Sequence, residues 1–289
     1  MANYIISTDT GSDLTDALYT KYDIVPLKME YELDGQMHED DYSEDSIKKF
    51  YQKMREGASP KTTQVNTARY AEFFEEQLKK SDTVIYISLS SGISGSYSNA
   101  CLAAKEVMER NVGSNVYVID SLGACLMEGM LAITASENRA AGMSAEDNVK
   151  LLNEKRHHVN VYFTTPDLTY LHRGGRVSKT SAVVAHMLGI NPILTVTPEG
   201  KLVSFDKVRG EKQTVNKIQK YIEASVTDAQ NSTIYIAHSD CFDRAVSVAS
   251  KYKVELGFEN SVITTIGSII GAHTGPGLIA IFYYGEKRK

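Results

Sequence analysis

Short runs of β-branched and aromatic residues alternate along this chain with longer segments in which apolar residues recur every three or four positions. Four runs predict buried strands: Tyr4–Ser7, Thr83–Leu89, Asn115–Asp120 and Val159–Thr165. Strands that alternate with helices favour a largely parallel sheet that is covered on both faces.

The amphipathic segments predict the helices of this arrangement. The segment TARYAEFFEEQLKK places Tyr70, Phe73, Phe74 and Leu78 on one helical face, with Thr67 as the N-cap. SYSNACLAAKEVMER and LMEGMLAITASENRAAG predict two further helices, and SAEDNVKLLNEKR begins with a capping box from Ser144 to Asp147.

The second half of the chain has a different pattern. PILTVTPEGKLVSFDKV predicts two strands around a Pro-Glu-Gly turn, which introduces an antiparallel hairpin. STIYIAHS, a helix from Asp243 to Leu256, SVITTIG and LIAIFYY then restore the alternation. We therefore predict two α/β domains, residues 1–157 with a largely parallel sheet and residues 158–289 with a mixed sheet.

The segment 260–285 contains no charged residue and is long enough to suggest a membrane span. Five glycines and prolines interrupt it, so two strands joined by a glycine loop explain it better than a membrane helix. His273 lies within this loop, among Gly271, Gly275 and Gly277. Because glycine allows close approach to a backbone, we expect another group to come near His273.

Composition narrows the class of protein. The 289 residues are 42% hydrophobic and 23% charged, which is typical of a soluble globular protein. The net charge of -5 argues against nucleic acid as a partner. Cys101, Cys125 and Cys241 form no C-x-x-C pair, and the first residues carry acids where a signal peptide is apolar. We expect a cytoplasmic protein.

Motifs for metals and nucleotides are missing from the sequence. It contains no H-x-x-x-H or Cys/His cluster, so we expect no metal site built by the protein. It also contains no G-x-x-x-x-G-K-[ST] or G-x-G-x-x-G loop, so nothing local indicates a nucleotide.

Three loops offer polar groups instead. SLSSGISGSYSNA follows a strand and opens a helix, as in anion sites at helix N-termini, although a glycine turn with a serine cap has the same pattern. SPKTTQVNT again places hydroxyls before a helix, where threonines commonly serve as caps. YLHRGGRVSK places Arg173, Arg176 and Lys179 around two glycines, which suits either a carboxylate or phosphate contact or a solvated charge run.

A serine hydrolase is the enzymatic alternative. Ser94, Asp120 and His273 follow the Ser…Asp…His order of α/β-hydrolases. The nucleophile elbow of that fold is G-x-S-x-G, however, and the stretch from Gly92 to Ser96 lacks its last glycine.

The motifs TTQ, LSSGISGSY, VIDS, YLHRGGR and GAHTGPG, in this order, resemble the DegV family of fatty-acid-binding proteins over the whole chain. The resemblance implies two α/β domains that hold one long-chain fatty acid in a tunnel between them, with no other cofactor. It further implies a partner ATP-dependent kinase that phosphorylates the bound carboxylate, a downstream acyltransferase, and at most transient membrane contact. A binding protein for another amphiphilic carboxylate is a third alternative.

The resemblance also assigns residues. Thr62, Ser94 and His273 match the carboxylate-binding positions of the family. Arg176, Ser91 and Gly95 are expected to face the head group or the kinase, with Arg173 as an alternative to Arg176. Candidates for the tunnel wall, which plain core packing would explain equally, are Ile93, Met187, Leu188, Ile266, Ile269, Ile270 and Leu278.

Overall fold

A computed structural model describes residues 3–177 and 189–289. Its strands are β1 (Ile5–Asp9), β2 (Ile24–Leu27), β3 (Glu30–Leu33), β4 (Gln36–Glu39), β5 (Lys61–Thr62), β6 (Thr83–Ser88), β7 (Asn115–Asp120), β8 (Val159–Thr164), β9 (Ile190–Val196), β10 (Leu202–Arg209), β11 (Thr233–His238), β12 (Asn260–Thr265) and β13 (Ile279–Tyr284). Its α-helices are α1 (Asp16–Tyr22), α2 (Glu44–Arg55), α3 (Thr67–Leu78), α4 (Ser96–Arg110), α5 (Leu126–Ala140), α6 (Ala145–Lys155), α7 (Thr169–Arg173), α8 (Glu211–Glu223), α9 (Phe242–Leu256) and α10 (Ser268–Thr274).

The first sheet is parallel throughout, in the order β2-β1-β6-β7. Side chains alternate across β6, so that Val84 and Tyr86 enter the core beneath α3 and α4. Ile85 and Ile87 enter the core on the opposite face, beside α5. The α/β class and the sheet predicted from the strand–helix alternation are confirmed.

The second large sheet is mixed, in the order β10-β9-β8-β13-β11-β12. The predicted hairpin is present as β9 and β10, and its turn is completed by Gly200 at a φ of 76°. On β8, Tyr162 packs with the core under α8 and α9, whereas Val161 and Phe163 face α5. Since α5 is buried continuously over residues 126–136, it joins the facing surfaces of both sheets into one core.

Several local predictions are corrected by the structure. Asn66, not Thr67, caps α3, since the Asn66 carbonyl oxygen of the side chain accepts a hydrogen bond from the backbone N–H of Arg69. The hairpin of β3 and β4 was not predicted, although Asp34 and Gly35 form the left-handed pair that such turns require. Ser144 does cap α6, as predicted.

The predicted glycine loop between β12 and β13 is a helix. α10 occupies Ser268–Thr274, and Gly275 ends it at a φ of 69°. His273 is therefore the penultimate residue of a helix rather than part of a loop. Within the described residues, no helix combines the length and the apolar character needed to cross a membrane. The domain boundary at 157/158 stays a prediction; it falls in the turn between α6 and β8.

Candidate functional site

His273 meets the hydroxyl of Thr62 at the centre of the site. Its Nε2 lies 2.8 Å from Thr62 Oγ1, because α10 packs against the short strand β5 that carries Thr62. Burial lowers the pKa of His273 to about 4, and the positive charge of Arg176 acts in the same direction. The imidazole is therefore neutral at pH 7, with one nitrogen that donates and one that accepts.

The Nδ1 edge of the imidazole ring lies against α7. A Cβ at Gly174, the C-cap of α7, would clash with His273 Nδ1, and this nitrogen has no partner among the described residues. The guanidinium of Arg176 donates to the Gly174 carbonyl at 2.5 Å, which fixes it beside the imidazole. Arg173 is exposed, with its guanidinium over the Tyr170 ring at 5.1 Å. The structure thus places Arg176, rather than Arg173, next to His273.

The serine-glycine loop lies against the Thr62 loop. Gly95 packs so closely on Gln64 that a Cβ would lie 2.6 Å from the Gln64 amide oxygen. The Ser94 hydroxyl accepts from the N–H of Ser96 at 3.2 Å and donates to the Ser96 hydroxyl at 3.0 Å. The Ser94 hydroxyl is therefore bonded to the backbone N–H of Ser96 at the start of α4, a donor that we expected to bind an external anion. Among the described residues, no hydrogen bond joins Ser94 to Thr62 or His273.

An internal carboxylate occupies another donor of this loop. The backbone N–H of Ser91 donates to Asp120 Oδ1 at 3.1 Å, while the Ser91 side chain is exposed. Gly92 faces the β9–β10 turn, where a Cβ would lie 2.8 Å from the Gly200 carbonyl oxygen. The glycine at 92 is thus required by contact with the second sheet.

The glycines around His273 have a packing explanation. A Cβ at Gly271 would lie 2.6 Å from the Tyr51 hydroxyl, and one at Gly275 would clash with the Tyr170 ring. Tyrosine side chains therefore lie against these two glycines. Other groups do come near His273, as expected, but the glycine that abuts its imidazole is Gly174, from another part of the chain.

An apolar cavity is lined in part by Thr274, the residue that follows His273. It has a volume of about 60 Å³ and lies between α5 and the second sheet. Ile266, Ile270 and Leu278, three candidates for the tunnel wall, line it together with Thr274. Ile93 and Ile269 are not among its lining residues, and Ile269 packs in the core under α3 and α4. Met187 and Leu188 lie outside the described residues.

Comparison with known proteins assigns the family. A family model described as "Uncharacterised protein, DegV family" matches residues 4–286. The chain belongs to the DegV family. A DegV domain-containing protein of Clostridium perfringens is 33% identical over 290 residues and covers 100% of both chains.

Solved DegV structures share the whole fold. The Thermus thermophilus DegV protein, described by its fatty acid binding, has a TM-score of 0.88 at 29% identity and covers 98% of this chain and 99% of its own. The DegV lipid-binding protein of Thermotoga maritima has a TM-score of 0.87 at 28% identity and covers 100% of both chains.

Several residues of the DegV cavity were missed by sequence reasoning. Val161 and Phe163 on β8 line it opposite Ala280 and Phe282 on β13, and the two pairs lie in register across the strands. The flexible side chain of Met127 from α5 lines it as well. The alternation along β8 and β13 indicates a shared face, but the sequence alone does not say which partner that face receives.

The hydrolase alternative is not supported. Ser94 bonds to Ser96, Asp120 accepts from backbone N–H groups, and His273 bonds to Thr62, so these three residues form no relay in the DegV chain. Among the described residues, no group of three or more His, Cys, Asp and Glu side chains is placed to hold a metal ion.

Proposed function

We propose that this DegV protein binds one long-chain fatty acid and presents its carboxylate to a partner ATP-dependent kinase. The acyl phosphate so formed would pass to a downstream acyltransferase. The observation that carries the proposal is that two consecutive residues of α10, His273 and Thr274, face a polar contact and an apolar cavity respectively. Thr274 lines the apolar cavity, and the residue before it, His273, contacts Thr62. We propose that this polar pair is the end of the site that receives the acid.

The polar end suits an acid head group. Burying a carboxylate costs free energy unless hydrogen bonds compensate, and each bond to a charged group contributes about 1.5–3 kcal/mol. Thr62 and His273 supply neutral donors, and Arg176 supplies a positive charge beside them. Ser94 can join them by exchanging its bond to Ser96 for one to the acid.

The position of Gly174 sets the direction of these bonds. Because Gly174 closes off Nδ1, the Nε2 edge of the His273 ring is the edge that faces the acid. A proton on Nε2 is donated to Thr62 Oγ1, and the Thr62 hydroxyl then donates onward to the carboxylate. We propose that Arg176, Ser91 and Gly95 meet the head group or the kinase.

The apolar cavity suits the tail. Each buried methylene contributes about 0.8 kcal/mol, so a tail of ~16 carbons has a gross ceiling of roughly 12 kcal/mol before losses on binding. A cavity of 60 Å³ accommodates such a tail only if its walls move apart. Met127 allows this movement, since methionine side chains adapt their shape at low cost.

Native mass spectrometry of the purified protein, followed by lipid extraction, tests the binding. We expect one intact, non-covalent fatty acid per chain. Spectra that show only the bare polypeptide would contradict the proposal. An assay with p-nitrophenyl esters serves as the control, in which we expect no turnover that depends on Ser94.

A further inference from the structure

A second cavity lies on the other side of Ile266 and Gly267. We call it the polar cavity; it has a volume of about 620 Å³ and is lined by residues of α1, α2, β11, β12 and the start of α9. The hydrogen bonds from Ile266 N to the His238 carbonyl and from Gly267 N to Asp13 Oδ1, each 2.8 Å, bring Asp13 and His238 together at its floor.

Three buried polar groups that line the polar cavity lack partners in the described part of the chain. They are Asp13 Oδ2, His238 Nε2 and Thr264 Oγ1, on residues that are 5%, 3% and 2% exposed. His238 Nδ1 accepts a hydrogen bond from Cys241 N at 3.3 Å, so the proton of the neutral ring is on Nε2. The cavity therefore presents one acceptor, one N–H donor and one hydroxyl. An unmatched polar group in a protein interior costs free energy, which a ligand with complementary groups recovers.

The charges around these groups select the ligand. Asp16, Glu44 and Asp240 line the cavity together with Asp13, whereas Lys48 is the cation of the lining. Lys48 pairs with Glu44 at 3.7 Å and Asp240 pairs with Arg55, which leaves the carboxylate of Asp16 in excess, and Asp13 adds a second negative charge once it loses its proton. The excess favours a cation and disfavours an acid. Leu14, Ile47 and Phe242 add apolar walls, so the ligand is an organic cation rather than a bare ion.

We propose that the polar cavity binds a small organic amine with a neighbouring hydroxyl group. The ammonium donates to Asp13 Oδ2, and the hydroxyl oxygen accepts from His238 Nε2–H. Burial raises the pKa of Asp13 to about 8, and an ammonium supplies the opposite charge that stabilises its ionised form. This site is separate from the cavity proposed for the fatty acid, because the two cavities share no lining residue.

Calorimetric titration with three probes of equal size tests the charge selection. Ethanolamine, ethylene glycol and glycolate share a hydroxyl and carry a positive, zero and negative charge. We expect saturable binding of ethanolamine, at least tenfold tighter than that of the other two. Equal affinity for ethylene glycol, or no saturation with ethanolamine, would overturn the proposal. Fatty acid content measured on the same samples keeps this result separate from that of the proposed function.

Two variants locate the binding. Asp13 has a left-handed φ of 53°, which asparagine tolerates, and Asp13→Asn keeps an acceptor for Gly267 N. His238→Asn keeps an acceptor for Cys241 N but removes the Nε2–H donor. We expect each variant to weaken ethanolamine binding at least tenfold. The circular dichroism spectrum of each variant should match that of the wild type, which shows that the variant is folded. Asp228→Asn, at an exposed carboxylate of a different cavity, is the matched control. Unchanged affinity in both site variants would refute the assignment.

Discussion

The apolar and polar cavities border the same nine-residue stretch, from Ile266 to Thr274, yet they present opposite surfaces. The apolar cavity is lined almost wholly by aliphatic and aromatic side chains, with Thr274 as its polar residue among those described. The polar cavity has its unmatched groups at its floor and carboxylates at its mouth. The difference separates the two kinds of recognition that we propose, in which one cavity selects a ligand by the length of a buried tail and the other by complementary charge and donors.

The largest expected effect comes from placing a charge in the apolar cavity. Ile270 and Ile263 are both half-buried, and they line the apolar and the polar cavity respectively. An unpaired carboxylate beside an acyl tail costs several kcal/mol. We therefore expect Ile270→Asp to lower the fatty acid content per chain more than tenfold, whereas Ile263→Asp leaves it unchanged. Mass spectrometry of lipid extracts measures both, and full lipid content in a folded Ile270→Asp protein would contradict the assignment of this cavity.

The next effect concerns presentation of the acid rather than its retention. Burial of the tail should hold the acid after one donor is lost, because Thr62 and Ser94 can share the carboxylate. We expect His273→Ala to keep its fatty acid within about twofold and to lose at least tenfold in acyl phosphate formation with the partner kinase and ATP. Arg176→Ala should likewise impair transfer more than lipid content.

Arg173→Ala is the matched control for this experiment, since the exposed Arg173 guanidinium lies over Tyr170 rather than beside His273. We expect it to behave as the wild type in both assays. A lipid-free His273→Ala protein would show that His273 anchors the acid, and normal transfer would leave the imidazole with a packing role.

The polar cavity should make stability depend on pH. Burial raises the pKa of Asp13 to about 8, from an unfolded value near 4, so its stabilising contribution is complete at low pH and is lost as pH rises through 8. Burial also raises the pKa of Glu128. His273 acts in the opposite direction, since its lowered pKa makes stability rise with pH, but only between about 4 and 6.5.

Between pH 6.5 and 8 we therefore expect the free energy of unfolding to fall as pH increases. Each such group contributes at most about 1.4 kcal/mol per pH unit. Urea unfolding of Asp13→Asn should show a shallower decline than the wild type, by up to about 2 kcal/mol over this interval. Glu128→Gln is a useful second variant, and an identical slope in both variants and the wild type would contradict burial of these acids.

The contrast between the cavities also shows what the sequence can predict. Periodicity predicted the parallel sheet and the β9–β10 hairpin, because the strand and helix patterns that imply them each lie within a short segment of the chain. The Asp34-Gly35 pair is an equally local signal for the β3–β4 hairpin, which was not predicted. α10 was harder to recognise, since its seven residues include Gly271, whose backbone is stabilised by packing on Tyr51 rather than by helical propensity.

The site was predicted through motifs rather than through geometry. The motifs named His273 and Thr62, and the structure brings these two residues into contact. The contact between Gly174 and the His273 ring joins residues about a hundred positions apart, and no local pattern encodes it. The same holds for the polar cavity: Asp13 lies in the acidic first segment of the chain, His238 lies in the predicted strand STIYIAHS, and no local pattern joins them.

The smallest expected effect isolates the Gly174 contact itself. Gly174 has a helical φ of -70°, so Gly174→Ala introduces no backbone strain but forces the His273 ring to move. Gly175 is the control: its φ of 74° makes alanine strained, while no atom lies within 4 Å of the added methyl group. We expect Gly174→Ala to weaken fatty acid affinity by about 0.4 kcal/mol, which is roughly twofold. Gly175→Ala should lower the melting temperature and leave the affinity unchanged. Displacement of a fluorescent fatty acid measures the affinity, and thermal unfolding measures the strain. Equal affinities for the two variants would mean that the Nδ1 edge of His273 is free to shift, in which case the order of donors from imidazole to Thr62 to carboxylate is wrong.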